Sequence, residues 1–332
     1  MMTERHKNSI LTAALILLCA LFLIGVLKNI GYPLLWNDEA ETAMFAERIL
    51  RYGYPKIHDG KNEIFTATIP IESCTDPKSD AYIGTVWGHF YFSVIGALPA
   101  RNTDDIYAKT AFLRIPFALI GILGLAVIAL MVLPLWSGNR TSQLLFLVLF
   151  ALFEIISISL ILHLRQVRYY PMVIFLSASI LCTYVYYKLY RKISTLLYAV
   201  ITTAFLILIF NTFTGAYVAL VLALGLHECA LYLKERKVKR FLKSVSPLVA
   251  SIILLTPLIV YFRMFEISSE YSKDITVNLA LLSRHFLAIY YFLSRQEFLT
   301  LALVAKAILV FLLCSKIGRR LSTGGDNEEA GR

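Results

Sequence analysis

The stretch 85-TVWGHFYFSVIGALPA-100 decides how this chain is threaded, because it is apolar and aromatic yet short, and Gly88, His89 and Gly96 interrupt it. A membrane-spanning helix needs about 20 consecutive apolar residues. If this stretch spans, the Lys/Arg clusters after residues 187, 233 and 315 all fall outside. If it lies in the interface, the same clusters all fall inside, as the positive-inside rule requires. The interfacial threading is the one the charges favour.

That choice presupposes a membrane, and composition supplies one. Of 332 residues, 58% are hydrophobic and 16% charged, whereas soluble domains carry about a quarter charged residues; mean hydropathy is +0.69. The chain reads as an all-α polytopic membrane protein. Its formal charge of +10 does not point to nucleic acid, since the basic residues punctuate apolar runs (Lys188, Arg191 and Lys192; Lys234 to Lys243; Lys316 to Arg320). No basic, aromatic-interleaved soluble domain is present. Five cysteines (Cys19, Cys74, Cys182, Cys229 and Cys314) show no CxxC or Cys/His cluster, which supports neither a disulfide framework nor a thiolate metal site.

Arg5 and Lys7 precede the first apolar run, Ile10 to Ile30, which lacks a small-x-small cleavage site and reads as an uncleaved signal anchor. The N-terminus is thus expected in the cytoplasm, with one outer loop from about 31 to 110. Further spans are expected near 112–136, 141–163, 171–190, 194–211, 214–233, 243–263 and 296–316, eight in all, with both termini inside. Residues 1–316 form one transmembrane unit, and 317–332 a polar cytoplasmic tail expected to be disordered. A second outer loop, about 264–295, contains 284-RHFLAIYYFL-293, which reads as another interfacial helix.

Within the first loop, 36-WNDEAETAMFAERILRYGYP-55 predicts an amphipathic helix. Asn37 is a good N-cap; Ala43, Ala46, Ile49 and Leu50 form one stripe, with Glu41 elsewhere; Gly53 and Pro55 stop the helix. Asp38 and Glu39 in its first turn complement the helix dipole. They have a second reading: free helix N–H groups keep Asp38 ionised, able to accept a proton from a substrate hydroxyl.

The stretch 163-HLRQVRYYP-171 falls outside although it carries Arg165 and Arg168. At spacing i, i+3 their two guanidinium forks suit a phosphate, or they snorkel among lipid headgroups. Arg114 opens the second span and either snorkels or reaches the same site. Tyr169 and Tyr170 fit an aromatic belt. Glu154 and Lys306 lie inside spans, where charges usually pair. His58, His89 and His285, alongside Glu72, Asp76 or Asp80, lack tight ligand spacing, so a divalent metal is left open. No Walker loop, GxGxxG, HExxH or GxSxG occurs.

The order of these pieces is similar to that of the GT-C superfamily of membrane glycosyltransferases, and the branch it most resembles is the family 39-like group of protein O-mannosyltransferases and aminoarabinose-lipid A transferases. The resemblance rests on one span followed by "DEA…FAERILRYGYP", on the interfacial stretch 85–100, on 114-RIPFALIGILGLAVIAL-130 as an R-x-P-x-A-L-x-G helix, and on the R-x-x-R-Y-Y turn at 165–170. It covers roughly 10–230. The chain departs from the family in carrying Tyr169 and Tyr170 where relatives often have an acidic residue, and in lacking a His-Pro-Pro late in the loop, where His89 stands alone. The resemblance implies a GT-C-like helical bundle in the plasma (inner) membrane, with an active site facing the periplasm or cell exterior. A sugar passes there from a polyprenyl-phosphate carrier to a hydroxyl of a glycan, lipid or protein acceptor, with inversion and no required cofactor. It assigns Asp38 as general base and Glu39 as its partner. The donor phosphate falls to Arg165, Arg168 and Arg114, while His89, Arg284, His285 and Tyr169 are candidate substrate contacts. A partner subunit is one way for so compact a chain to complete the activity. Two other classes stay open: a flippase or transporter of lipid-linked sugars, and a non-catalytic assembly subunit.

Overall fold

The computed structural model describes residues 3–64, 71–266 and 284. These residues form helices α1 (Glu4–Leu27), α2 (Asn37–Tyr52), α3 (Gly88–Ala100), α4 (Ile106–Val132), α5 (Arg140–Ile156), α6 (Ile158–Leu164), α7 (Tyr170–Lys188), α8 (Thr195–Thr212), α9 (Thr214–Glu235) and α10 (Val238–Tyr261). Six of them (α1, α4, α7, α8, α9 and α10) are long and apolar enough to cross a bilayer. Their outward faces carry bare apolar side chains such as Ile16, Leu226 and Ile253, each about two-thirds exposed, a surface that only lipid solvates cheaply. The chain is an all-α, multi-pass membrane protein.

The span expected at 141–163 is not one straight helix. It breaks at Ser157 into α5 and α6, bent by 79°. The local sequence EIISISLIL explains the weak point: isoleucines flank a serine, and β-branched residues and Ser are poorer helix formers than Ala or Leu. The expected span at 296–316 with Lys306, the interfacial helix at 284–293 with His285, and the tail lie outside the described residues, apart from an exposed Arg284.

Helix α3 has 13 residues, about 20 Å at 1.5 Å per residue, against roughly 30 Å of bilayer hydrocarbon. It lies among α2, α4 and α8. Gly96 makes the α3–α4 approach close: a Cβ there would meet the Phe112 carbonyl and sit 2.7 Å from Leu113 Cα. Gly124 does the same where α4 crosses α7, with Phe175 Cα 2.8 Å from where its Cβ would be.

Side-chain contacts sort the helix ends. At one end, Asn8 accepts from Thr141 Oγ1 at 2.7 Å, and Lys188 Nζ pairs with buried Glu228 at 2.7 Å, which also accepts from Tyr184. The basic runs at Lys188–Lys192 and Lys234–Lys243 lie here. At the other end lie α2, α3, the 165–169 turn, the α8–α9 junction and the C-terminus of α10, where Trp87 meets Phe262 edge-on at 5.4 Å. Residues 53–64 and 71–87 fold onto this loop end. Ile57, Ile64, Cys74 and Tyr82 pack against Phe45 and Phe90, Arg48 pairs with Asp59 at 2.6 Å, and His58 with Asp80 at 2.7 Å.

Replacing Gly124 with Val is expected to force α4 off α7 and cost about 1–3 kcal/mol, read as a lowered unfolding temperature of the detergent-solubilised chain. Replacement of the open Gly138, which has nothing within 4 Å of a built Cβ but a left-handed φ of 90°, is expected to cost only the backbone strain, about 1 kcal/mol.

Candidate active site

Helix α2 begins one residue earlier than the sequence suggests. Asn37 is its first helical residue, Trp36 the N-cap, and Gly53 the left-handed C-cap at φ 85°. The buried face is Glu39, Thr42, Phe45, Ala46 and Ile49, so the stripe is rotated relative to the expected one and Ala43 is only half-buried. The rotation carries a carboxylate, Glu39, into the core.

Glu39 is completely buried and receives four hydrogen bonds. Arg114 Nε donates to Oε1 at 2.9 Å and Nη2 to Oε2 at 2.6 Å. The Val167 N–H donates to Oε1 at 2.8 Å and the Trp36 N–H to Oε2 at 3.4 Å. Arg114 spends its three remaining N–H groups on carbonyls, those of Ile30 at 3.0 Å, Pro33 at 2.7 Å and Leu34 at 3.4 Å. A guanidinium has five N–H donors and a carboxylate about four acceptor sites, so both groups are saturated. Arg114 is therefore not placed to take a donor phosphate, nor Glu39 to exchange a proton; the pair clamps the 30–36 segment, α2, α4 and the 165–169 turn together.

That clamp positions the turn beside Asp38. Arg168 Nη2 lies 3.0 Å from Asp38 Oδ2, and Nη1 donates to the Asp38 carbonyl at 3.4 Å. The Arg168 guanidinium carbon sits 5.2 Å from the centre of the Tyr169 ring, and Tyr169 stacks on Phe213 at 4.4 Å with planes 2° apart. His89 approaches the same tyrosine edge-on at 6.0 Å. Asp38, Arg168, Tyr169 and His89 thus come together at the loop end. Arg165 turns aside, donating from Nη2 to the Asn29 and Tyr32 carbonyls at 2.7 and 3.1 Å. Arg284 is exposed, and no contact places it in this cluster; His285 lies outside the described residues.

Two polar atoms of the cluster are buried without a hydrogen-bond partner among the described residues: Arg168 Nε, a donor, and His89 Nδ1. Burial, with Arg168 adding repulsion, drives the His89 pKa down to about 3, offset in part by a hydrogen bond with the Thr212 backbone. Neutral imidazole with its other nitrogen so bonded leaves Nδ1 as an acceptor. Tyr169 is pushed up by burial and by its hydrogen bond with Tyr170, so its hydroxyl keeps its proton.

Glu41 is the member the sequence reading passed over. Burial raises its pKa against the lowering effect of Arg168, and Asp38 raises it further. The signal was the i, i+3 spacing from Asp38, which puts both acids on one flank of α2. Phe213 had no local signal; only the packing of α8 and α9 brings it here. His58 bonds Asp80 and lies 3.4 Å from Glu63, while Asp76 accepts from the Ser79 N–H at 3.0 Å. Among the described residues, no three His, Cys, Asp or Glu side chains gather as a metal site would require.

Arg114→Ala is expected to cost about 3–5 kcal/mol, since it strands a buried carboxylate. Arg114→Lys should recover only part of this, because an ammonium cannot fork across both oxygens; denaturant unfolding in detergent measures both. His89 is expected to stay neutral, with ring nitrogen resonances that do not move between about pH 5 and 8; a midpoint in that window would contradict its burial.

Comparison with protein-family models, with curated proteins and with solved structures finds no match to this chain.

Proposed function

We propose that the loop end is the active site of a membrane glycosyltransferase that moves a sugar from a polyprenyl-phosphate donor to an acceptor hydroxyl at the outer face of the plasma (inner) membrane. The observation that carries this reading is the Asp38–Arg168 pair at 3.0 Å, set beside the unpartnered Arg168 Nε and His89 Nδ1. A carboxylate, a cation and a neutral acceptor within one partly buried cluster match a substrate that carries both hydroxyls and a phosphate. The resemblance to the GT-C enzymes supports the same assignment as analogy.

In this reading the acceptor hydroxyl gives its proton to Asp38 as its oxygen attacks the anomeric carbon. The bond from that carbon to the phosphate oxygen breaks, and the phosphate leaves with the electron pair. A single displacement inverts the anomeric configuration. Arg168 offsets the leaving charge. In the free protein it is paired with Asp38, so an arriving phosphate draws the guanidinium away and uncovers the base at the moment it is needed. Arg165 is turned aside onto the Asn29 and Tyr32 carbonyls, so the phosphate falls to Arg168 in this reading. Glu41, on the same flank of α2 with its pKa raised by burial, takes the proton onward from Asp38 in this reading. Glu39 and Arg114 act at one remove by holding the turn that carries Arg168.

A second reading has one observation in its favour. The 79° break between α5 and α6, three residues after Glu154, is of the kind that lines substrate paths in transporters, which fits a flippase for lipid-linked sugars. Purified chain in vesicles, given a polyprenyl-phosphate sugar and a hydroxyl acceptor, separates the two. Transferase activity should release polyprenyl phosphate and fall by about 10²–10⁴-fold in Asp38→Asn, while Glu154→Ala is nearly silent. Undiminished transfer by Asp38→Asn removes it as the base; donor crossing the bilayer unmodified, and lost with Glu154→Ala, favours the flippase.

A further inference from the structure

The flank of α2 turned away from Asp38 carries a second feature that glycosyl transfer does not use. Nine residues separate Asp38 from Glu47, which at 100° per residue places them on opposite sides of the helix. On the Glu47 side a groove of about 530 Å³ opens between α2, α3 and the start of α4, within the range of roughly 300–1,000 Å³ typical of small-ligand sites. Its floor is made of Ala40 and Ala43 from α2 with Ala97 and Ala100 from α3. Leu34 and Leu35 form one wall, and the carbonyl bonds of Arg114 hold that wall in place.

Two cations, Arg101 and Lys109, also line the groove, with Glu47 and Thr110 as its other polar members. Neither cation forms an ion pair with a carboxylate among the described residues. Among the described residues Arg101 donates only to the Glu47 backbone carbonyl, at 3.5 Å. Asp105, one turn before Lys109, has its carboxylate committed to capping α4 through the N–H groups of Tyr107 and Ala108 at 3.1 and 3.2 Å. Glu47 is the one carboxylate in the lining, so the groove keeps an excess positive charge. The neighbouring surface is lipid-like in character: Ile95 and Leu98 on α3 and Ile106 on α4 are each more than half exposed. The groove therefore sits where apolar helix surface gives way to polar loops.

We propose that this groove binds one anionic phospholipid, with an acyl chain along the alanine floor and the phosphate between Arg101 and Lys109. The ligand follows from charge and shape together. Two cations without a carboxylate partner among the described residues recognise a phosphodiester, and the apolar part of the lining, four alanines flanked by Leu34, Leu35 and Met44, accepts a flexible acyl chain. The bound lipid lies across α2 from Asp38, so it is a resident of the fold, separate from any donor at the Arg168 cluster. Its chain packs against Ala43 and Leu34, and thereby stabilises the same α2 start and 30–36 segment that Glu39 and Arg114 clamp.

The test is native mass spectrometry of the full-length chain released from mixed micelles containing dioleoyl phosphatidylglycerol or dioleoyl phosphatidylcholine. One phosphatidylglycerol should remain bound, and phosphatidylcholine should be lost more readily. Arg101→Ala with Lys109→Ala should weaken retention of phosphatidylglycerol by about tenfold or more and abolish the difference between the two lipids. Ala43→Leu, which fills the floor, should lower retention of both. Should Ala43→Leu fail to fold, the Arg101/Lys109 double variant alone decides, because both side chains lie at the surface of the groove and their removal leaves the helices intact. Equal retention of both lipids by the wild type, or unchanged retention by the double variant, overturns the proposal. So does full displacement of the lipid by inorganic phosphate, which would make this a site for a free anion.

Discussion

The loop end of this protein depends on one buried interaction, the doubly hydrogen-bonded pair of Glu39 and Arg114. Taking two charges out of water is expensive, and such a pair is seldom a net source of stability. It pays for itself only when every donor and acceptor is used, and here five N–H groups meet five oxygens while the carboxylate takes two more backbone donors. Three pieces of chain distant in sequence converge on it: the 30–36 segment running into the first turn of α2, the stretch of α4 around Arg114, and the 165–169 turn. A polar pair in the core thus fixes the arrangement of the loop end, with Asp38 and Arg168 partly exposed beside it.

How much of this could be read in advance depended on range. Apolar runs long enough to cross a bilayer announce themselves locally, so the all-α, multi-pass character was legible. So were the stop at Gly53 and the shortness of 85–100, since each follows from a few adjacent residues. The acids of α2 were legible as a motif but not as individuals. Asp38 and Glu39 are neighbours on the chain, yet 100° of helical rotation sends one into the core and leaves the other beside Arg168. Only the tertiary packing of α2 on α3 and α4 fixes that rotation, and an amphipathic stripe placed slightly off it leaves Glu41 among the bystanders. Arg114 shows the same limit: an arginine opening a span reads equally as a phosphate ligand or as a clamp until the carbonyls around it are known. The break at Ser157 was missed for another reason, because length and hydropathy register that a segment can cross but not whether it stays straight.

The two ends of the bundle use ionisable residues differently. At the basic end, Lys188, Glu228 and Tyr184 satisfy one another and tie α7 to α9. At the loop end, Arg168 and His89 hold polar atoms in reserve. Burial without satisfaction is costly in a fold; among the described residues Ser93 Oγ and Thr202 Oγ1 also go without a partner, but only at the loop end do a guanidinium donor and a ring acceptor do so against the same tyrosine. That contrast, more than the presence of charge, sets the loop end apart from the basic end.

The Tyr169–Phe213 stack has a mechanical consequence. Tyr169 stands at the start of α7, and Phe213 is the single extended residue joining α8 to α9. Two rings lying flat at van der Waals distance slide easily but tilt only together. A ligand that turns Tyr169 must therefore turn the joint between α8 and α9, and a flexing of that joint must reorient the ring beneath the Arg168 guanidinium. The helices on the far side of the bundle meet the cluster at this pair of rings and at the Thr212 backbone that His89 bonds, and through these contacts they share in its motion.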